Sequence, residues 1–572
     1  MKLTATLAHI LIAHGIKHVF GLQGGAVVHI FDSLEQGGVG VTYMHHEQSA
    51  ALAAVAYAKA TENMGCVVVT TGPGATNAIT GLLAAWQDSI PCLFISGQVR
   101  SQHTSYGRKV RQVGTQEVNI CDIVRPITKY CTFINDKDKF INELEYALSI
   151  AKSGRPGPVW IDLPLDFQWS DIVFEEMRMR TSVCGNVTEM LSLPLLEQSR
   201  AMLNAADKPL LVLGYGLRLA GKSARLLEII ERHALPFVTT WTAADLFPTA
   251  HPLNLGIIGM SGQRGANRAM FTADTLLCLG THLSIPHTTT LYDNYAPQAK
   301  KIIVNIDQDQ LDNLNVRFDL KIRGDVNRYL EWLASQELKS FVWPDLAQFK
   351  SANWYLPKTG ERPNSNTYVH RLTEVISGSL CLVVDGGGTA LYAGFQSSVL
   401  KMHDRIICSS AISAMGTGLA ETVGASRCGG FDKYLCVVGD GSFLMNIQDL
   451  QTIHQEQVNV IISVINNNGY LAIRHTQRDF LAGRFYGTHP DWHLHMPSIR
   501  QIAAAFDIPY ILLDKADDLE KTISLLAQTD GPMICEVVVD EEQDVLFKQN
   551  YKANDDGTFS PQSLADMAIS LA

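Results

Sequence analysis

Two polar runs follow two apolar stretches in the last third of the sequence, and their residue types could hold a metal ion and a phosphate. Residues 439–442 are Gly-Asp-Gly-Ser and residues 466–469 are Asn-Asn-Asn-Gly, with a helical stretch between them. Because the carboxyl ends of parallel strands face one crevice, we expect the two runs to lie together. The glycines permit a close backbone approach, and the helix beginning near Ser442 would direct free N–H groups at a phosphate.

The donor atoms in these runs suit magnesium. Asp440 supplies a carboxylate oxygen, Asn467 an amide oxygen and Gly469 a backbone carbonyl, and phosphate oxygens and water would complete an octahedral shell. A cation and a diphosphate are therefore expected to bind together. Because Gly-Asp-Gly is also a common turn, a purely structural role stays open for this motif taken alone.

The spacing of Asp440 and Asn467 across a strand-helix-strand unit resembles the magnesium and diphosphate motif of the thiamine-diphosphate-dependent enzymes. The resemblance implies thiamine diphosphate and Mg²⁺ as cofactors. Residues 385–389 resemble the family's glycine-rich diphosphate loop, and residues 414–416 resemble the segment whose bulky side chain wedges between the two cofactor rings, although Met415 could also simply fill the core. The cofactor-binding residues implied in this region are Gly387, Gly388, Thr389, Ser413, Met415, Gly439, Gly441 and Ser442.

The first third of the chain carries a second set of motifs, in the order and spacing of the acetohydroxyacid (acetolactate) synthases. They lie at residues 20–26, 46–48, 71–77 and 88–91. The resemblance covers nearly the whole chain. It implies that Glu47 contacts the cofactor's pyrimidine, and that the site includes Gly24, Gly25, Pro73 and Asn77. Without the resemblance, Glu47 is a carboxylate favoured electrostatically at a helix start.

The same resemblance gives roles to the reactive groups. Glu47 would share a proton with a ring nitrogen of the cofactor, and Gln116 would reach the reaction centre from a neighbouring subunit. A homodimer or a homotetramer is therefore implied. His475, shortly after the metal loop, is the third catalytic candidate, although a lone histidine is more often structural.

The middle of the chain departs from the family pattern in places that affect the acceptor. Residues 259–264, 279–282 and 305–307 resemble segments with which synthase relatives hold FAD in a non-redox role, so FAD is a candidate cofactor. The glycine run at 214–221 has its third glycine one residue late for a nicotinamide-dinucleotide fingerprint. Residues 283–288 lack the family's substrate-side arginine. Residues 470–477 stand where the family has a tryptophan-bearing segment. They resemble the corresponding run in synthase-like enzymes associated with unusual sugars.

Apolar runs alternate with amphipathic helical stretches along the whole sequence, which predicts an α/β fold of three doubly wound parallel-sheet domains. We expect a pyrimidine-binding domain at 1–170, a linker at 171–197 and a middle domain at 198–345 that is a candidate FAD- or nucleotide-binding unit. A second linker is expected at 346–366 and a diphosphate- and magnesium-binding domain at 367–572.

Composition excludes several other classes. Lys and Arg total 46 against 57 Asp and Glu, a net charge of −11, so the chain has no basic surplus for nucleic acid. Hydrophobic residues make up 46% and charged residues 18%, which favours large buried interiors and subunit interfaces. No apolar stretch approaches the roughly 18 residues needed to cross a bilayer, and we expect a cytoplasmic protein that does not bind membranes.

The function predicted from these motifs is thiamine-diphosphate-dependent decarboxylation of a 2-oxo acid, most simply pyruvate, with transfer of the two-carbon unit to a carbonyl acceptor. Acetolactate formation is the leading hypothesis. Acetyl transfer to a keto sugar nucleotide and simple decarboxylation are alternatives within the class. A catalytically silent scaffold relative and a nicotinamide-linked oxidoreductase are alternatives from other classes.

Overall fold

The computed structural model describes residues 1–173, 191–221, 224–343, 346–354, 360–545, 551–556 and 558–562. These residues form three six-stranded parallel sheets covered by helices, so the predicted α/β class is confirmed. Most of the predicted first linker, at 174–190, lies outside the described residues, as do residues 355–359 of the second. No helix within the described ranges combines the length and apolarity needed to span a bilayer.

The first domain has the strand order β2-β1-β3-β4-β6-β5. Its strands are β1 (His18–Gly21), β2 (Gly40–Tyr43), β3 (Gly65–Val69), β4 (Cys92–Gln98), β5 (Tyr130–Phe133) and β6 (Val159–Pro164). Its helices are α1 (Leu3–Ala13), α2 (Val28–Gln36), α3 (Glu47–Thr61), α4 (Pro73–Asn77), α5 (Ile79–Gln87), α6 (Ile120–Val124), α7 (Phe140–Lys152) and α8 (Leu165–Gln168). The strand order changes direction between β1 and β3, where open parallel sheets bind ligands.

The middle domain has the order β12-β11-β10-β7-β8-β9, which is that of a dinucleotide-binding sheet. Its strands are β7 (Pro209–Leu213), β8 (Phe237–Thr239), β9 (Asn254–Ile257), β10 (Thr275–Leu279), β11 (Lys300–Asn305) and β12 (Leu320–Arg323). Its helices are α9 (Leu193–Ala205), α10 (Gly216–Leu219), α11 (Ala224–His233), α12 (Arg264–Thr272), α13 (Ile285–Thr288), α14 (Gln308–Asp312), α15 (Val326–Ala334) and α16 (Leu346–Ser351). The last of these helices lies in the predicted second linker, where Phe349 packs into the middle domain's core.

The third domain repeats the topology of the first, in the order β14-β13-β15-β16-β18-β17. Its strands are β13 (Leu380–Val384), β14 (Arg405–Ile407), β15 (Lys433–Gly439), β16 (Val460–Asn466), β17 (Tyr510–Leu513) and β18 (Met533–Val538). Its helices are α17 (Ser365–Val375), α18 (Gly388–Ser397), α19 (Gly418–Ser426), α20 (Asp440–Met445), α21 (Asp449–Gln455), α22 (Leu471–Leu481), α23 (Ile499–Ala505) and α24 (Leu519–Gln528). Beyond them, β19 (Tyr551–Ala553) and β20 (Phe559–Pro561) pair antiparallel.

The first and third domains share one hydrophobic cluster, in which α3 packs against α19. The helix α3 is rich in alanine, and its small side chains allow the two helices to approach closely. A Cβ built on Gly424 would lie 2.0 Å from the carbonyl oxygen of Ala53. The small residues at this interface therefore allow α3 and α19 to pack closely, and the packing of these helices joins the two domains.

Candidate active site

The two polar runs of the third domain meet at the carboxyl edge of its sheet. β15 ends at Gly439 and the next residue, Asp440, is buried. One Asp440 oxygen accepts a hydrogen bond from the Gly441 N–H at 2.9 Å, and the other accepts one from the Gly469 N–H at 2.8 Å. Burial raises the pKa of Asp440 to about 7 because its charge is removed from water.

Asn467 lies in the same crevice. Its Nδ2 donates to Thr389 Oγ1 at 3.2 Å, and its Oδ1 is buried with no hydrogen-bond partner among the described residues. A buried oxygen left unpaired costs about 1–3 kcal/mol, and a bound cation would remove that cost. Asp440, Asn467 and the carbonyl of Gly469 supply the hard oxygen ligands that Mg²⁺ prefers, so the donor set fits this ion.

The glycine-rich loop after β13 packs on the segments that sequence analysis expected beside it. A Cβ built on Gly387 would lie 2.5 Å from Ser442 Oγ and 2.8 Å from Met415 Cγ. The loop is held by Asp385, whose fully buried carboxylate accepts hydrogen bonds from the N–H groups of Gly387 and Gly418, each at 3.0 Å. The structure therefore brings both loops and Met415 together at the point where the strand order changes direction.

Two glycines leave an open cradle in this crevice. Gly388, with φ +47°, begins α18, and the nearest atom to a Cβ built on it is 3.9 Å away. A Cβ built on Gly439 would meet nothing within 4 Å. Ser413, also left-handed with φ +49°, donates its hydroxyl to the Gly386 carbonyl at 2.9 Å. The crevice has backbone and space for a diphosphate beside the metal ligands.

In the first domain, Glu47 begins α3 and is largely buried. Its Oε2 accepts a hydrogen bond from Asn77 Nδ2 at 3.0 Å. Its Oε1 lies next to Gly74, where a Cβ would be 3.3 Å away. The turn that contains Gly74 starts α4 with Pro73, whose fixed φ suits a first helical position. The predicted acid and the predicted turn are therefore in direct contact.

The other first-domain candidates surround the same turn. Gly24 packs on Thr70, whose Cβ would lie 2.5 Å from an added Cβ, whereas Gly25 is exposed and faces open space. Gln116 is exposed and left-handed with φ +60°, and its carbonyl would lie 2.0 Å from a Cβ on Gly72. Only a glycine fits at position 72, so the turn fixes where Gln116 emerges.

Arg474 holds the metal loop and was not among the residues predicted from the sequence. Arg474 is fully buried on α22, and its guanidinium donates to the carbonyls of Asn467 at 2.8 Å, Asn468 at 3.2 Å and Thr488 at 3.1 Å. A planar fork with five donors suits such a set of carbonyls. The neighbouring His475 is buried on the same helix. A basic residue in a helix directly after a metal motif was the available signal.

Within one chain the two halves of the candidate site have separate hydrogen-bond networks. No direct hydrogen bond between described residues joins the Glu47 and Asn77 pair to Asp440, Asn467 or Gly469. Gln448 Nε2 of the third domain donates to Ser49 Oγ, two residues after Glu47, at 3.3 Å. Each half is preorganised separately, at the equivalent edge of a sheet with the same topology.

A cavity of about 320 Å³ lies where the three domains meet, at the carboxyl ends of the middle domain's strands. It is lined by Lys59 and Arg155 of the first domain, Tyr215, Gly280 and His287 of the middle domain, and Ser410 of the third. Two of the three segments expected to hold FAD line this cavity, those at 279–282 and 305–307, whereas residues 259–264 do not. Burial lowers the pKa of His287 to about 3, so this side chain is neutral.

Two glycines that follow β7 in the middle domain allow close packing of its loops. Cβ atoms built on Gly214 and Gly216 would lie 2.3 and 2.8 Å from backbone atoms of Gly280. These glycines let two loops cross at the switch point between β7 and β10. Their presence is therefore explained without a nicotinamide dinucleotide, and the cavity lies at the edge of the sheet where parallel α/β sheets bind ligands.

Comparisons with known proteins agree with this arrangement. The sequence matches three family models: the thiamine pyrophosphate enzyme N-terminal TPP binding domain over residues 1–123, the central domain over 196–333 and the C-terminal TPP binding domain over 386–537. It is 31% identical to the acetolactate synthase isozyme 2 large subunit of Escherichia coli, over 94% of this chain and 96% of that protein. It is 31% identical to the isozyme 3 large subunit, over 90% of each. It is 28% identical to a probable acetolactate synthase large subunit of Methanocaldococcus jannaschii, over 94% of this chain and 92% of that protein.

Proposed function

The chain belongs to the thiamine pyrophosphate enzyme family that includes the acetolactate synthase large subunits, and we propose that it decarboxylates pyruvate and transfers the two-carbon unit to a second carbonyl. Condensation with a second pyruvate, giving acetolactate, is the leading reaction. The observation that carries the proposal is the orphaned Oδ1 of Asn467 beside Asp440, in a crevice whose glycines leave room for a diphosphate.

The third domain supplies the groups that would hold the cofactor. Asp440, Asn467 and Gly469 would bind Mg²⁺, and the backbone at Gly388 and Gly439 would accept the diphosphate. When bound, thiamine diphosphate supplies a carbon nucleophile and an electron sink for the electrons released with carbon dioxide. Met415, packed beside the loop, would support the cofactor from one side. His475, buried on α22 next to Arg474, stays the third catalytic candidate.

Glu47 would hold and return a proton at the cofactor's pyrimidine. Its carboxylate is buried at the first turn of α3, where the helix dipole favours an acid. Asn77 orients one oxygen by donating a hydrogen bond, and Gly74 leaves space beside the other. These contacts orient the Glu47 carboxylate, as general acid and base catalysis by a positioned side chain requires.

A complete site would be built by two chains. The Glu47 half and the Asp440 half have no direct hydrogen bond within one chain, and Gln116 is exposed at the rim of its domain. A homodimer or homotetramer in which the first domain of one copy faces the third domain of another would join the halves. FAD is proposed for the middle cavity in a role that involves no electron transfer, held by Gly280, Thr281 and Asn305.

The direct test is to incubate the purified protein with pyruvate alone, together with thiamine diphosphate and Mg²⁺, and to measure carbon dioxide and acetolactate. Both products are expected. Carbon dioxide release without acetolactate would contradict the leading reaction and favour another acceptor or simple decarboxylation. Failure to release carbon dioxide from any 2-oxo acid would contradict the proposal as a whole.

Glu47→Gln is the matched variant, because glutamine keeps the size and the hydrogen bond from Asn77 but cannot ionise. We expect decarboxylation to fall by about two to four orders of magnitude, the usual contribution of a positioned proton carrier. Thiamine diphosphate and Mg²⁺ binding, measured by calorimetry, should persist because the third domain is unchanged. Full turnover by Glu47→Gln would show that this carboxylate does not act as proposed.

A further inference from the structure

One segment of the first domain is cationic in an otherwise acidic chain. Residues 99–116 contain Arg100, Arg108, Lys109 and Arg111 and no Asp or Glu, while the whole chain carries −11. All four cationic side chains are exposed. We call residues 99–116 the cationic loop. Its charge is opposite to that of the rest of the molecule, so it would attract anions that the remaining surface repels.

The cationic loop is held in a fixed shape although it is mostly exposed. The buried carboxylate of Glu117 accepts hydrogen bonds from the Ser105 N–H at 2.9 Å and the Val113 N–H at 2.9 Å, which closes the loop on itself. The Tyr106 hydroxyl donates to Asp162 at 3.1 Å, and its ring stacks on Phe133 with centroids 4.0 Å apart. These contacts present Arg108, Lys109 and Arg111 without the entropy cost of ordering a free loop.

Nothing in the described part of the chain neutralises the charge at the tip of the loop. No carboxylate among those residues forms an ion pair with Arg108, Lys109 or Arg111. Arg108 donates to the Gln102 carbonyl at 3.0 Å, which fixes its guanidinium within the loop. An ordered group of like charges repels itself, and a bound phosphate would relieve that repulsion.

The cationic loop ends at the candidate active site. Gln116 is its last residue, and the carbonyl of Gln116 packs on Gly72, at the start of the turn that carries Asn77 and contacts Glu47. The loop therefore lies at the rim of the pyrimidine-side half of the site. A substrate that reacts in the site and extends outwards along this rim would pass the cationic side chains.

We propose that the cationic loop binds the phosphate groups of a phosphorylated carbonyl acceptor, which the site takes in addition to pyruvate. The inference rests on the proposed carboligase function, because an acceptor has meaning only for that reaction. The carbonyl end of the acceptor enters the site beside Gln116, and its phosphate end pairs with Arg108, Lys109 and Arg111. The guanidinium forks give bidentate contacts to phosphate oxygens.

The experiment compares two acceptors with the same carbonyl, D-glyceraldehyde and D-glyceraldehyde 3-phosphate, in the pyruvate-dependent reaction of the holoenzyme. The parent protein should show a higher kcat/KM for the phosphorylated acceptor. Arg108→Gln, Lys109→Gln and Arg111→Gln together should lower the ratio of the two kcat/KM values by about tenfold, since exposed ion pairs are individually weak but add. The preference of the parent protein should also fall with added salt.

A control variant with Lys300→Gln, Lys515→Gln and Lys521→Gln removes the same charge from exposed positions of the other two domains and should keep the ratio. An unchanged ratio in the loop variant, or no phosphate preference in the parent protein, would overturn the inference. Equilibrium binding of glycerol 3-phosphate to the holoenzyme, measured by calorimetry, tests phosphate binding by the cationic loop independently of the proposed carboligase reaction. Binding that the loop variant loses supports the inference even if pyruvate is not decarboxylated, and absence of binding contradicts it.

Discussion

Asn467 carries the most direct test of the metal site, because its buried Oδ1 has no protein partner among the described residues. Asn467→Ala removes this oxygen and should lower Mg²⁺ affinity in the presence of thiamine diphosphate by about tenfold to a hundredfold. The affinity is measured by calorimetric titration of the protein with Mg²⁺. Excess Mg²⁺ should restore part of the activity, since the Asp440 carboxylate and the Gly469 carbonyl remain.

The neighbouring Asn468 gives the matched control. Asn468 has φ +58° and its Nδ2 donates to Glu541 at 2.8 Å, away from Asp440. Asn468→Gly keeps the left-handed backbone without strain, so its Mg²⁺ affinity should change little. Equal losses in both variants would assign the effect to the backbone of the loop and not to the Asn467 oxygen.

The buried carboxyl group of Asp449 should make the stability of the protein depend on pH. This group is fully buried on α21, and burial outweighs the Ser49 hydroxyl and raises its pKa to about 7. Because this exceeds the ordinary value of about 4, its contribution to stability is complete below about pH 4 and is lost as the pH rises through about 7. Asp449→Asn should therefore raise the Tm by about 2–4 °C at pH 8 and leave it unchanged at pH 4. A gain of the same size at both pH values would contradict a buried ionisation.

The seam between α3 and α19 links packing to the acid at the start of α3. A Cβ at position 424 would lie 2.0 Å from the Ala53 backbone, so Gly424→Ala must push α3 away from α19. We expect a loss of about 1–3 kcal/mol of stability from overpacking, together with lower activity because Glu47 moves with its helix. Thermal unfolding and pyruvate turnover measure the two effects.

Gly430→Ala is the control for this seam, because an added Cβ there meets only Cys428 Sγ at an ordinary 3.7 Å. It should change neither stability nor turnover appreciably. If Gly424→Ala also leaves both unchanged, the helices can separate without moving Glu47.

The elements that could be predicted from sequence are those with a local pattern. The apolar runs before Asp440 and Asn467 became β15 and β16, and the polar residues after them came together because parallel strands end at one edge. The hydrogen bonds of Arg474 to four backbone carbonyls could not be predicted, since they depend on how α22 packs against the metal loop. The close contact between Gly424 of α19 and Ala53 of α3 likewise joins residues more than 350 positions apart, and no periodic sequence pattern predicts it.

At the level of the whole chain, the three domains are joined by buried charges that sequence alone did not reveal. Asp245 of the middle domain accepts hydrogen bonds from Arg218 of its own domain at 2.7 Å and from Arg405 of the third domain at 2.8 Å. Arg405 also donates to the Lys59 carbonyl of the first domain at 2.6 Å. Lys59 in turn pairs with Asp88 at 2.7 Å and lines the cavity between the domains. Some of the few charged residues in the sequence are therefore buried in ion pairs that join the domains.

This network predicts a large effect for a single neutral substitution. Asp245→Asn removes the carboxylate shared by two buried guanidinium groups and leaves Arg218 paired with Glu62 alone, which should cost about 3–5 kcal/mol. Asp207→Asn, which removes an exposed partner of Lys339 at 3.7 Å, should cost at most about 1 kcal/mol. Thermal unfolding of the two variants compares a buried with an exposed ion pair. Because the cavity wall is shared by all three domains, Asp245→Asn should also weaken binding of the FAD proposed for this cavity, as measured by flavin fluorescence, whereas Asp207→Asn should not. Similar small losses in both variants would mean that apolar packing, and not this ion-pair network, holds the three domains in register.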